Sequence, residues 1–445
     1  MSNIDNVPRP LVNRRVSRIH PLVTLVGEGA LVSRPAPGHA CLVRMLKPGP
    51  RAALILVVGA SSLLAACAST PATAVSAWGT GTTLPIPARP PLPSYSDPKD
   101  PVSYLVLGDW MLRRGRADSA AAAFFWASRL DPTLAQPYYA RSVALLLVYA
   151  RPHQAPFAGD VWVPVAKIPL WRLAVIDSLR REALARDPFL PPSYDHLLTG
   201  RPPFWALAKV RDPAARGYWL YDFGERELAD SVLGVALKKQ PGRAHLRELR
   251  ARAEYELGRY DSAAAQLRIL LDTLSHRDST TLGMGYSSKE MIYYTLGYTH
   301  VQRGDTAAAR LAFESAVVEN AAFYPAHLWL ATLASRRGEP DVAEREMATA
   351  TDIAPTDATM RLLHGVSLLE NGAAGRATAE LLKAIDLDPW FAKLYFYLGK
   401  AHEARGDPAR AAEAYEAYAS RERLNSGERV WAQSHSDSLR ARSTH

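Results

Sequence analysis

From residue 101 onward the chain repeats itself at intervals of 34 residues, and this spacing constrains the fold more than any single motif. Eight units begin at Pro101, Ala135, Val210, Ala244, Glu290, Tyr324, Ala358 and Ala392, the last four without a gap. The eighth position is always small: Gly108, Ser142, Gly217, Ala251, Gly297, Ala331, Gly365 and Gly399. Every unit except the second has glycine at position fifteen, from Gly115 to Gly406, and alanine at position twenty, from Ala120 to Ala411. Large residues recur at positions four, seven and twenty-four, as in Tyr104/Leu107/Phe124 and Tyr293/Leu296/Phe313. Each feature has a mechanical reading. Two antiparallel helices can cross closely only where their side chains are small, and the large residues fill the space beside the crossing. A glycine after the first helix supplies a left-handed residue that ends it cheaply. Pro132, Pro188, Pro241, Pro355 and Pro389 stop the second helix, because proline cannot continue one.

The pattern resembles the tetratricopeptide repeat (TPR), and the resemblance spans essentially everything after residue 100. It implies an all-α fold, a TPR-type right-handed superhelical solenoid of about eight helix-turn-helix repeats. Units would occupy 101–190 with an insertion at 150–169, then 210–289, then four contiguous units over 290–425, with a polar capping helix and tail at 426–445. The insertion at 150–169 carries Phe157 and Trp162, and 191–209 is an irregular linker with Pro202, Pro203, Phe204 and Trp205. A polar stretch follows unit four at 276–288. Two arrangements are open: the insertions are loops on one face, or they break the superhelix into a smaller N-terminal and a larger C-terminal array.

Upstream, 45–66 reads as Lys47 and Arg51, an apolar core over 52–64, and the small residues Ala65 and Ala66 before Cys67. That order is the layout of a secretory signal peptide, and the core is too short for a comfortable permanent span. Leu64-Ala65-Ala66-Cys67 resembles the lipobox of bacterial lipoproteins. The resemblance implies cleavage before Cys67 and acylation of its thiol, with two or three chains giving durable anchoring. It places the protein in the cell envelope, and Ala68, where an aspartate would favour the inner membrane, points to the periplasmic face of the outer membrane. Residues 1–44 fit none of this; they are expected to be disordered or non-native, with translation starting at Met45. Residues 67–100, rich in proline, read as an extended tether. The net charge of +9 is concentrated in this leader: residues 1–66 hold eight basic residues against Asp5 and Glu28. The remainder is too dilute for a phosphate-backbone footprint, so no nucleic-acid partner is expected.

No phosphate loop, nucleophile elbow or metal-ligand spacing occurs, and the two cysteines, Cys41 and Cys67, make no disulfide framework. His300, His327, His364 and His402 take helix-packing positions. An enzyme is not expected, nor a metal or cofactor. In the resembled family, first-helix positions two, five, nine, twelve and thirteen line a concave groove. Here they give Tyr139, Tyr218, Tyr221, Tyr255, Tyr294, Tyr298, Leu328, Leu362, Val366, Leu369 and Phe396, with Arg252, Arg336, Lys393 and Lys400 as charges. Such a lining suits a protein or peptide ligand with apolar anchors. The expected function is a lipid-anchored periplasmic scaffold or adaptor. The alternative is a platform subunit recruiting an enzyme in an envelope glycan- or polymer-handling complex.

Overall fold

The computed structural model describes residues 86–152, 161–162, 167–190, 204–275 and 288–443. Among the described residues the fold is all-helical, a TPR-type solenoid, apart from one two-residue antiparallel pair, β1 (Arg151–Pro152) and β2 (Val161–Trp162). The first units are α1 (Pro101–Arg113), α2 (Ala117–Leu130), α3 (Ala135–Leu147) and α4 (Leu170–Arg186). After the short 3-10 turn Phe204–Lys209 come α5 (Pro213–Asp222), α6 (Arg226–Lys239), α7 (Ala244–Glu256) and α8 (Tyr260–Ser275). The contiguous units are α9 (Lys289–Arg303), α10 (Thr306–Glu319), α11 (Tyr324–Arg336), α12 (Pro340–Ile353), α13 (Ala358–Glu370), α14 (Ala374–Leu387), α15 (Ala392–Ala404) and α16 (Pro408–Arg421). A last helix, α17 (Gly427–Ser443), packs on α16 as the expected cap.

The repeat positions do what their chemistry requires. Gly304 ends α9 at φ 84°, which lets the Asp305 N–H reach back to the His300 carbonyl at 3.0 Å and satisfy an orphan acceptor. The small residue at position eight receives the large residue at twenty-four: a Cβ added to Gly108 would lie 2.5 Å from Phe124, and one added to Gly399 2.7 Å from Tyr415.

The three interruptions of the repeat behave differently. Helices pack in chain order from α1 to α4 and again from α5 to α17, across the stretch that follows α8. Among the described helices the stacking does not continue from α4 onto α5. The solenoid is therefore a two-unit array followed by a six-unit array. The smaller array has its own core of Leu107, Met111, Phe124, Val143, Ile176 and Leu179. The larger one is built around Phe313, Phe323, Trp329 and Leu363 and continues to Leu381, Phe391 and Tyr415.

The tether expected over 67–100 is corrected in its last part. Residues 86–100 lie on the folded body: Trp126 Nε1 donates to the Pro87 carbonyl at 3.0 Å, and Arg89 Nε donates to the Tyr104 hydroxyl at 2.8 Å. Arg89 also stacks over the Trp126 ring at 5.0 Å, and the Asp97 carboxylate accepts the Leu424 N–H at 2.7 Å. A proline-rich composition specifies an extended backbone but not whether that backbone has a surface to lie on. Cys67, the leader, the rest of the tether, Phe157, Pro202 and Pro203 lie outside the described residues.

Candidate functional site: a groove filled by its own chain

The two-unit array lies along the six-unit array at the edge where successive first helices begin, with contacts recurring about one unit apart. The Tyr324 hydroxyl donates to Glu182 at 2.8 Å, and Arg186 Nη2 donates to Asp357 at 3.2 Å. Arg129 donates to the Leu387 carbonyl at 3.0 Å and pairs with Asp388 at 3.4 Å. Trp126 meets Trp390 edge-on, ring centroids 5.2 Å apart, and Asp97 meets Leu424 beyond it.

The end of α4 goes further, onto the first helices α7 and α9. Phe189 lies flat on Tyr255, centroids 3.7 Å apart and planes 3° off parallel, with Tyr298 at 6.3 Å. Tyr294 donates its hydroxyl to the Ala185 carbonyl at 2.5 Å, and Arg252 Nη1 donates to the Leu190 carbonyl at 2.7 Å. Arg186, 4% exposed, stacks on Tyr138 at 4.2 Å and donates to Glu182 and to the Pro132 carbonyl as well as to Asp357.

This corrects the expectation of an open lining. Tyr218, Tyr221, Tyr255, Tyr294, Tyr298, Leu328, Leu362 and Val366 are all buried, none more than 7% exposed. Tyr255, Tyr294 and Tyr298 are brought together with Phe189, whereas Tyr218 and Tyr221 belong to a separate cluster between units three and four. Leu328 sits in the central core, and Leu362 and Val366 in the C-terminal core. Tyr139, Leu369 and Lys393 are half-buried, and Arg336 is exposed. Arg252 is buried and also pairs with Glu248 at 3.3 Å. Phe396 is half-buried, its ring among Tyr397, Tyr415, Tyr418 and Trp431. Lys400 is exposed, with Nζ 4.9 Å from the Phe396 ring. Residues of the site that repeat phase does not flag are Asp357, Tyr324, Arg186 and Phe189. Only the aromatic after Pro188 carries a sequence signal, an apolar pair just past a helix stop.

Asp388 carries the most perturbed carboxyl along the edge. Its side chain is 2% exposed, and burial pushes its pKa up to about 7 against the pull of Arg129 and of the Trp390 N–H. In the unfolded chain the same group titrates near 3.8, so the folded form holds an extra proton between those values. The stability this confers is complete below the lower value and lost as pH rises through about 7. Asp388→Asn cannot ionise. Relative to wild type it is expected to gain roughly 2–4 kcal/mol on going from pH 5 to pH 8, read by urea denaturation at both values. An unchanged difference between the two chains would mean that Asp388 is not buried as a neutral acid.

His300, His327, His364 and His402 sit in packing positions, 3% to 8% exposed, and burial lowers the pKa of His300, His364 and His402. His327 is instead held by Glu346 at 2.7 Å and by the Ala321 carbonyl, which raise its pKa over the opposing effect of burial. A cleft of about 460 Å³ between α10, α11 and α12 is lined by Arg310, Glu314, Arg337 and Glu339. These pair among themselves, Arg310 with Glu314 at 2.7 Å and Arg337 with Glu339 at 2.6 Å, a solvated ionic surface. Among the described residues no cluster of three metal-ligating side chains occurs, and no helix is long and apolar enough to cross a membrane.

A profile described as the tetratricopeptide repeat matches residues 215–276, 294–358 and 362–427. No curated protein matches the sequence. Solved structures that resemble it include the C-terminal part of a TPR repeat-containing protein from Cytophaga hutchinsonii, 18% identical over 46% of this chain and 78% of that one, with a TM-score of 0.39. A tetratricopeptide repeat protein from Parabacteroides merdae is 17% identical over 76% of this chain and 98% of that one, with a TM-score of 0.34. YrrB, described as a TPR protein with an unusual peptide-binding site, is 18% identical over 45% of this chain and 97% of its own, with a TM-score of 0.35. The phase of the helices, the close crossing at position eight and the profile agree over residues 215–427, which carry tetratricopeptide repeats.

Proposed function

We propose that the chain is a scaffold or adaptor of the cell envelope, lipid-anchored at Cys67, that binds a protein partner. The observation that carries the binding half is the face of α7 and α9, which already grips polypeptide. Tyr294 and Arg252 hold main-chain carbonyls, and Tyr255 stacks on a phenylalanine ring. Side-chain donors to main-chain carbonyls give affinity without demanding a sequence, and the aromatic contact supplies selectivity. The anchoring half is supported by the order of charge, apolar core, small residues and cysteine over 45–67. Ala68, in place of an aspartate after the cysteine, supports the periplasmic face of the outer membrane as the location.

The test treats the halves separately. Protein extracted from a two-membrane bacterium in detergent should show, by intact mass, an N-terminus at Cys67 carrying thioether-linked acyl chains. Cys67→Ser should leave the chain uncut and without lipid, while its helical content by circular dichroism is unchanged. A mature chain beginning elsewhere without lipid refutes the anchor. Chemical crosslinking in the envelope followed by partner identification tests the adaptor reading, and a chain that crosslinks to no other protein refutes it.

A further inference from the structure

The segment 182–190 is fastened in the way a bound peptide is fastened. It belongs to the two-unit array, yet Ala185 and Phe189 are buried among residues of the six-unit array, including Tyr255, Tyr294, Tyr298 and Tyr324. Two of its carbonyls are held by side chains of α7 and α9, at 2.7 Å and 2.5 Å. Its Phe189 lies flat on Tyr255 with Tyr298 beside the pair, and three residues earlier its Arg186 meets the Asp357 carboxylate at 3.2 Å. Two main-chain grips, one ring contact and one carboxylate read out a helix end that presents arginine and then an aromatic ring at the third residue onward.

The same geometry makes the segment separable. Among the described residues the stack of helices does not continue from α4 to α5, so the described contacts of the two-unit array with the larger one are not those of successive solenoid units. It closes its own core around Leu107, Phe124, Val143 and Leu179 and need not unfold to leave. Its remaining contacts with the larger array run through side chains at the edge, chiefly Arg129, Trp126 and Asp97.

We propose that 182–190 is an internal occupant of the partner groove, and that the external ligand is a polypeptide with the same chemistry, a helix end with arginine followed three residues later by phenylalanine or tyrosine, which displaces it. This rests on the reading of the chain as a protein-binding scaffold and specifies the ligand and its control. A tethered segment is present at an effective concentration of about 1 mM, so the ligand must compete with it. The apparent affinity of the free groove is reduced by the fraction of molecules in which the segment is out. The groove therefore rejects weak or incidental peptides and opens to a partner of high local concentration.

The probe is a fluorescein-labelled synthetic peptide with the sequence of residues 180–190, RREALARDPFL, titrated into the full chain and followed by fluorescence anisotropy. The double variant Arg186→Ala/Phe189→Ala, whose own segment lacks both anchors, should bind the peptide at least about tenfold more tightly than wild type. Adding Tyr255→Ala to it should abolish that gain, as should replacing phenylalanine by alanine in the peptide. Equal affinity of wild type and double variant, both helical by circular dichroism, overturns the proposal. So does a double variant in which the six-unit array melts, since the segment would then be core. A measurement on wild type needs no variant: excess peptide should speed amide hydrogen exchange within 182–190, and unchanged exchange with the peptide bound overturns the proposal. Peptide binding without any envelope partner would leave this inference standing and remove the adaptor reading. Partner capture that is indifferent to Arg186→Ala/Phe189→Ala, with no peptide binding, would do the reverse.

Discussion

Gly297→Leu is expected to unfold the centre of the larger array, and Gly297→Ala alone to cost about 1–3 kcal/mol. A Cβ at Gly297 would lie 2.6 Å from Phe313 Cε1. The phenyl ring cannot yield, because Phe313 is fully buried and stacked on Trp329, centroids 5.5 Å apart and planes 6° off parallel. Trp329 is itself fully buried and meets Tyr298 edge-on at 5.7 Å. Displacement of one ring therefore displaces three. Gly365→Ala provides the contrast: its Cβ would meet Leu381 Cγ at 2.9 Å and Cδ2 at 3.1 Å, a less severe overlap than the 2.6 Å at Gly297. In urea denaturation Gly297→Ala is expected to lose more stability than Gly365→Ala, and each leucine variant more than either alanine variant. Because each unit touches only its neighbours, the damage at Gly297 should appear first in the amide exchange of α9–α12. Wild-type stability in Gly297→Leu would show that the crossing is not close.

That ordering could not be obtained from the repeat alone, although the positions could. Position eight must be small and position twenty-four large in any helix pair of this geometry, so phase identifies Gly297 and Phe313 as facing residues. What lies behind Phe313 is a neighbouring unit's Trp329, a contact between residues whose spacing is not a repeat position with a fixed partner. Helix ends were legible for the same reason: Gly304 must be left-handed, and Pro132 and Pro389 follow helices that end at Leu130 and Leu387. The break in the solenoid was only half legible. Both insertions have the composition of loops, but stacking survives the stretch after α8 and not the one after α4.

The site divides along the same line. The face a first helix turns to the concave side is a matter of phase, and Tyr255, Tyr294 and Tyr298 do come together there. Whether that face is open is decided by residues with no phase relation to it. Phe189 stands 66 positions before Tyr255, in the irregular stretch past Pro188, and nothing in its neighbours' spacing assigns it a partner. Asp357 and Asp388 were invisible for a related reason. Each lies at a turn between units, where an acidic residue reads as a helix cap. Asp357 indeed caps α13 by accepting the Thr359 N–H at 2.7 Å, while its second oxygen takes Arg186. One carboxylate serves local and long-range structure at once, and sequence displays only the first.

Glu256→Ala is the substitution expected to act most strongly at the other end of the larger array, with a loss of roughly 3–5 kcal/mol confined to its first unit. Glu256, at the end of α7, accepts the Tyr221 hydroxyl on one oxygen and Arg226 Nε on the other at 2.5 Å. Arg226 is 8% exposed, stacks on the Tyr221 ring at 4.0 Å and also donates to the Tyr221 carbonyl. Removing the carboxylate strands a buried guanidinium and a buried hydroxyl together, and the penalty is that of the orphaned charge rather than the worth of the pair. Glu256→Gln retains an acceptor and should cost less. Among the described residues α5 and α6 have only the 3-10 turn around Leu207 on their outer side, so they form the weak end of a quasi-linear stack. Hydrogen exchange should show protection lost in α5 and α6 and kept in α9–α16, with a separate early transition in urea. A uniform loss, or none, would mean that the seam between units three and four is held by its apolar cluster instead. The consequence reaches the groove, because α7 also carries Arg252 and Tyr255. If its packing loosens, the hold on Leu190 and Phe189 should weaken with it, and exchange within 182–190 should rise in parallel with α5 and α6.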